Sequence, residues 1–210
     1  MPDTADLFEI MRTTRSMRRL KPDPVPDALL SQVLEAGTCA PSGGNTQSWR
    51  FLVIRAPAIK QAAAAWYRKG WHETVGPRYR AGGASPGMSP EQFNRLLDAA
   101  EYLADHIHEA PAWIVPCWAG PRGSGASVFP AVQNMLLAAR ALGLGATLTT
   151  LYLLHEKEAE AAMGIPDGYH SYAILPIGFP RGKFGPVRRA PLAEVVYDDV
   201  WGRAWSGNPA

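Results

Sequence analysis

The 210-residue sequence has only two cysteines, Cys39 and Cys117, at no metal-like spacing and in no C-x-x-C pair. That excludes a disulfide-built scaffold and a zinc knuckle, and it fits a reducing, cytoplasmic setting. No stretch approaches the roughly 18 apolar residues of a membrane span, so none is expected. The N-terminal MPDTADLFEIM is acidic and lacks the basic start and apolar run of a secretion signal. The net charge is only +2, against the strongly basic balance usual for a nucleic-acid-binding domain.

The familiar catalytic motifs are absent too. There is no H-E-x-x-H, no phosphate-binding G-x-x-x-x-G-K-[ST] loop and no G-x-S-x-G elbow. Gly143-Leu-Gly145 lacks a third glycine and follows a helix instead of a strand, which argues against a dinucleotide fingerprint. His106 and His108 stand two apart on an expected helix and so point to different faces, unsuited to one metal. No metal site is expected. No His/Asp or Cys/His constellation offers a side-chain acid or base for catalysis.

What is present is an ordinary apolar content of 47% and an unusual seven tryptophans. A chain of this length buries roughly 70% of its unfolded surface, enough for a real core. Helices are predicted over Asp3–Thr13, from Pro26 to the Pro41 break, over Pro57–Lys69, Ser89–Glu109, Val128–Leu142 and Glu156–Met163. Ser89 to Gln92, with Pro90 between, has the pattern of a capping box. Strands are predicted over Trp49–Arg55, Ala112–Ala119, Ala146–Tyr152 and Tyr169–Ile177. Pro116 marks its strand as an edge or a bulge. Residues 76–90 hold four glycines and three prolines and read as a loop, with 66–90 a possible substrate lid. Residues 179–210 read as an arm with an apolar patch at Val195, Val196, Val200 and Trp201. The elements are interleaved without regular βαβ units, giving one α+β domain over 1–210: a mixed or antiparallel sheet flanked by helices.

Charge is unevenly spread. Residues 12–21 hold five basic side chains and no acid, and residues 181–189 hold four and no acid. Two local clusters in a near-neutral chain suit a small anion. In Thr14-Arg-Ser-Met-Arg-Arg-Leu20, Arg15 and Arg18 supply planar forks of donors and Ser16 a hydroxyl, as a phosphate needs. Ala40-Pro-Ser-Gly-Gly-Asn-Thr-Gln-Ser-Trp49 is a small-residue loop before a strand; Ser42, Asn45 and Gln47 offer hydroxyl and amide partners to a flat ligand. Near the end, Arg188 and Arg189 follow a turn. Each cluster alone also fits a solvated surface.

Together, TRSMRRL, APSGGNTQSW, IGFP and RAPLAEVV resemble, in order and interval, the nitroreductase family. The likeness spans nearly the whole chain, with residues 66–95 outside it. Thr14 stands where many members have arginine, and Ser48 where most have proline. The resemblance implies a homodimer with FMN between its subunits. It implies Arg15, Ser16 and Arg189 at the phosphate and ribityl chain, and Arg18 at the pyrimidine end of the ring. Ser42, Asn45 and Gln47 would come from the other subunit, the C-terminal arm would reach the partner, and Thr149, Thr150 and Leu151 on the penultimate strand would lie beside the reactive nitrogen. The implied activity is hydride transfer from NADH or NADPH through FMN to a small flat acceptor, a nitroaromatic or quinone, by a ping-pong mechanism. Enone reduction, dehalogenation and flavin breakdown are alternatives on the same scaffold, as is a flavin-binding protein without turnover. A basic protein using Arg12–Lys21 on nucleic acid is the more distant reading.

Overall fold

The computed structural model describes residues 6–207 apart from Pro86. Helix α1 (Leu7–Thr13) opens it, capped by Asp6, whose side chain accepts from the Phe8 amide at 3.1 Å; residues 3–5 of the expected helix lie outside the described residues. Then come α2 (Asp27–Thr38), β1 (Trp49–Ile54), α3 (Pro57–Gly70), α4 (Gly76–Gly82), α5 (Pro90–His106), β2 (Ala112–Ala119), α6 (Val128–Ala141), β3 (Gly145–Ala146), α7 (Glu156–Met163), β4 (Tyr169–Ser171), β5 (Leu175–Gly178) and α8 (Leu192–Val195). The sheet runs β1-β2-β5-β3, with β4 also on β2, and every pairing is antiparallel.

β2 organises the core. Its side chains alternate between the two sheet faces. Ala112, Ile114 and Trp118 join the core under α2 and α6, while Trp113, Val115 and Cys117 join the one under α3, α5 and α7. Because both faces are covered, AWIVPCWA reads as an almost unbroken apolar run. Pro116 does not put this strand at an edge, since β1 and β5 flank it. It marks a bulge. Cys117 faces Ser171 and Ile114 faces Leu175, so Val115 and Pro116 oppose three residues, Tyr172 to Ile174. Opposite the extra residue the ladder is already interrupted, so the missing proline N–H is tolerated.

The single strand expected over Tyr169–Ile177 is split by that bulge into β4 and β5, and two further expectations are overturned. Residues 76–82 are helix, not loop: α3 passes through one π-helical turn (Trp71–Val75) into α4. Pro77 sits in the first turn of α4, where its missing N–H costs nothing. Gly76 is there because a Cβ would come within 3.0 Å of the Trp71 carbonyl. Among the described residues the open stretch is Gly83–Ser85 and Gly87–Ser89, and Ser89 and Gln92 then close the expected capping box before α5. The expected strand over Ala146–Tyr152 is likewise broken. Thr149 pairs with Ile174 in the register set by Gly145↔Gly178, but Thr147 falls opposite Pro176, which has no N–H to donate. From Leu151 to His155 the chain is a 3-10 helix.

The two thiols differ. Burial, with the Glu160 carboxylate as a lesser contributor, pushes Cys117 up to about 12, whereas Cys39 is exposed. Since the thiolate is the nucleophile, a disulfide-exchange reagent at pH 8 is expected to label one thiol per folded chain and two after unfolding. Rapid labelling of both in the native protein would contradict this burial.

A candidate cofactor cleft beside the edge strand

The N-terminal basic segment is laid down on the edge of the sheet by backbone bonds. The Met17 amide donates to the Ala146 carbonyl at 3.0 Å, and Lys21 to Phe179 at 2.7 Å. The approach depends on Gly145, where a Cβ would meet Met17 Cβ at 2.8 Å and Leu20 and Pro180 at 3.1 Å. The C-terminal basic segment docks on the same stretch. Arg181 N–H donates to the Arg19 carbonyl and Val187 N–H to the Arg12 carbonyl, each at 3.0 Å. Arg15 Nη2 donates to the Lys183 carbonyl at 3.1 Å. The segment bearing Arg188 and Arg189 is thus tied to the one bearing Arg15 and Ser16. Among the described residues none of Arg15, Arg18, Arg188 and Arg189 has a carboxylate within ion-pair distance. Arg15, Ser16 and Arg189 are exposed, Arg18 half-buried. Their guanidinium groups therefore keep their donors free for an anion.

Arg18 leads from this surface into a cleft of about 190 Å³, whose walls include Tyr67, Trp71, Leu103, Thr149 and Leu151. Thr149 is held from both sides of its backbone, exchanging bonds of 3.1 and 2.9 Å with Ile174. Its hydroxyl lies 2.7 Å from that of Tyr67. Burial raises the Tyr67 pKa, against the opposing pull of Thr149 and Arg18, so the phenol stays protonated at neutral pH. Thr150 is exposed at the start of the 3-10 turn. The cleft therefore joins Arg18, Thr149 and Leu151. Tyr67, within the 66–90 segment expected as a lid, is a buried wall residue of this cleft. Its signal is the spacing Lys60, Ala63, Ala64, Tyr67, Gly70, the inward face of α3.

Ser42, Asn45 and Gln47 stand elsewhere. Their loop is shaped by three left-handed residues, Gly44, Asn45 and Gln47, at φ 59°, 54° and 48°. Ser42 Oγ accepts from the Gln47 amide at 3.0 Å, and Asn45 Oδ1 from the Gln47 side chain at 3.1 Å. Non-glycine residues held there cost on the order of 1–3 kcal/mol each, a strain met most often at functional loops. The loop abuts the far end of β2, where Ala119 N–H donates to the Ser48 carbonyl. The basic segments adjoin the near end, where Gly178 packs on Pro111 and Leu20. Seven strand steps put the two ends roughly 24 Å apart.

A second polar cluster had no counterpart in the sequence reading. Glu156, Glu160 and His170 place ligand atoms within 4.8 Å of one another. Glu156 is paired with Arg122, however, and Glu160 accepts from the Ser171 amide and hydroxyl, each at 2.6 Å. These carboxylates bind the 3-10 turn before α6 and strand β4 to α7.

Comparison with known proteins agrees with this architecture. The sequence model described as Nitroreductase family matches residues 11–179. The chain is 30% identical over 188 residues to a 5,6-dimethylbenzimidazole synthase of Rhodobacter capsulatus, covering 83% of each. It is 29% identical over 202 residues to an NADH dehydrogenase of Thermus thermophilus, covering 87% of this chain and 90% of the relative. The crystal structure of oxidized iodotyrosine deiodinase bound to FMN and 3-iodo-L-tyrosine superposes with a TM-score of 0.71, at 24% identity, over 93% of this chain and 99% of that one.

Proposed function

This chain belongs to the nitroreductase family, and from that premise we propose that it is an FMN-dependent oxidoreductase carrying hydride from NAD(P)H to an electron-poor aromatic acceptor, a nitroaromatic or a quinone. The observation that carries the reading is that basic segments from both ends of the chain are bonded to each other, next to a cleft that Arg18 lines together with Tyr67, Thr149 and Leu151. That donor set fits a phosphorylated flat ring: cations without competing acids outside, apolar and hydroxyl groups within.

In this reading Arg15, Ser16 and Arg189 hold the phosphate and ribityl chain, and Arg18 faces the pyrimidine end of the ring. Thr149, Thr150 and Leu151 lie along its reactive edge. Bound flavin supplies hydride acceptance and return; the protein's task is to bind, orient and tune it. Arg18 places positive charge where negative charge grows on reduction. No side-chain acid or base is required, and Tyr67 stays neutral. NAD(P)H and the acceptor use the same cleft in turn, which requires ping-pong kinetics.

The other side of the ring is assigned to Ser42, Asn45 and Gln47 of a second copy. Two observations favour a homodimer. The loop and the basic segments adjoin opposite ends of β2, roughly 24 Å apart along the strand in one chain. The cleft itself, about 190 Å³, is below the roughly 300–1,000 Å³ of a complete ligand pocket. The arm over 179–210 is the segment proposed to reach the partner. Its Leu192, Val195, Val200 and Trp201 are all exposed, Trp201 at 89%, as suits residues awaiting a partner surface. A cytoplasmic location is part of this reading.

The purified protein is expected to be yellow and to bleach when NADH or NADPH is added without oxygen. A colourless protein that takes up no added FMN would overturn the proposal. Other chemistry on the same flavin is the second reading, favoured by the 30% identity to a protein named 5,6-dimethylbenzimidazole synthase. A panel of nitroaromatics, quinones, enones and halogenated phenols offered to the reduced enzyme separates the two.

A further inference from the structure

Arg78 extends the proposed reading toward the identity of the acceptor. Val75 and Tyr79 line the cleft, and they also line an adjoining depression of about 370 Å³ completed by Arg78, Gly82 and Gly83. The two hollows share Val75 and Tyr79 as walls, one holding Thr149 and Trp71 and the other Arg78. Neither lining contains an acidic residue. The carboxylates of α5 nearest this helix are already engaged. Glu101 takes both its bonds from Arg80 at 3.0 and 3.1 Å, and Asp105 pairs with Arg68 and His72 at 3.1 and 2.9 Å. Arg78 has no ion pair or hydrogen bond among the described residues, and Glu73 on the preceding turn does not pair with it. A cation with no internal partner, at the end of an aromatic-walled cleft free of acids, selects an anion carried on a ring.

The same wall holds an unmatched donor. Trp71 Nε1 is buried and has no partner among the described residues, and α4 lies over it, with Gly76 close to the indole. An unsatisfied buried donor costs about 1–3 kcal/mol. The Trp71 and Tyr79 rings, 6.3 Å apart and tilted by 35°, pack against each other and present an aromatic wall to the cleft.

We propose that the acceptor is an aromatic anion, a ring bearing a carboxylate or an equivalent negative group, and that Arg78 is the residue that selects it. The inference rests on the cofactor reading above, and the experiment separates the two. The holoenzyme is titrated with benzoate and with its neutral counterpart benzamide, neither reducible, following the visible spectrum. Turnover is measured with 4-nitrobenzoate and 4-nitrobenzamide. The wild type is expected to prefer the anion of each pair. Arg78→Gln is expected to weaken benzoate binding and lower kcat/KM for 4-nitrobenzoate by about fivefold to tenfold, a charge-assisted bond discounted for its exposure. The neutral compounds are unaffected, the loss shrinks as salt rises, and Arg78→Lys recovers part of it.

Equal effects on charged and neutral ligands, or no effect on either, would overturn the proposal. So would a variant that raises KM for NADPH but not NADH while leaving nitrobenzoate unchanged, since Arg78 would then serve the donor's phosphate. A yellow enzyme bleached by NAD(P)H but blind to the benzoate charge defeats this inference and leaves the cofactor reading standing. A colourless protein defeats both.

Discussion

Replacing Arg18 by alanine is expected to lower the reduction potential of the bound flavin and to slow its reduction by NAD(P)H roughly 100-fold. Arg18 is half-buried, lines the cleft and has no carboxylate partner among the described residues. Its charge is therefore uncommitted until a ligand arrives. Removing one preorganised donor from a site of developing negative charge costs about 10²–10³ in rate. Potentiometric titration and rapid-mixing reduction measure the two effects independently. A variant with unchanged potential and unchanged reduction rate would remove Arg18 from the role given to it. Loss of flavin alone, with normal potential in what remains bound, would make it a binding residue.

The second large effect is expected at a position that touches no ligand. Gly145→Ala should destabilise the fold by about 1–3 kcal/mol, the usual cost of forcing a carbon into a packed contact. It should also lower the flavin retained on purification. The new Cβ would meet Met17 Cβ at 2.8 Å and Leu20 Cδ2 and Pro180 Cβ at 3.1 Å; the Leu20 methyl can turn aside, but the two Cβ atoms are fixed to their backbones. The segment pushed away carries Arg15, Ser16 and Arg18. Urea unfolding and the flavin-to-protein ratio report the two consequences. Gly182→Ala is the control: nothing lies within 4 Å of its Cβ, so it should be neutral. A Gly145 variant as stable and as yellow as the wild type would show that the basic segment is not held by this contact.

Much of this fold is legible in the sequence, for identifiable reasons. β2 is an apolar run between turn residues. The capping box before α5 is local chemistry, and Val128–Leu142 has clear helical periodicity. Two failures are equally physical. Gly76 and Pro77 look like helix breakers, yet a proline in a first turn and a glycine under a carbonyl are what α4 needs in order to start. The strand after Ala146 is broken by a proline some 30 residues away, and no reading of 146–152 alone could find that. The candidate site divides in the same way. Arg15, Ser16, Arg18 and the 42–47 loop were marked by composition and by family likeness. The contact of Tyr67 with Thr149 was not legible, because the two stand 82 positions apart.

The irregularity at Pro116 reaches further than one missing bond. Consecutive residues Tyr172 and Ala173 both turn toward the core under α2 and α6, while Ile174 enters the other core and Ser171 meets Tyr152. A strand keeping strict alternation would send Ser171 and Ile174 to opposite sides. With Tyr172 and Ala173 sharing one step of that alternation, both ends of the segment keep their faces, and losing either residue would leave Ser171 beside Glu160 while costing the core one side chain. At this place the strand carries a surplus residue without turning over.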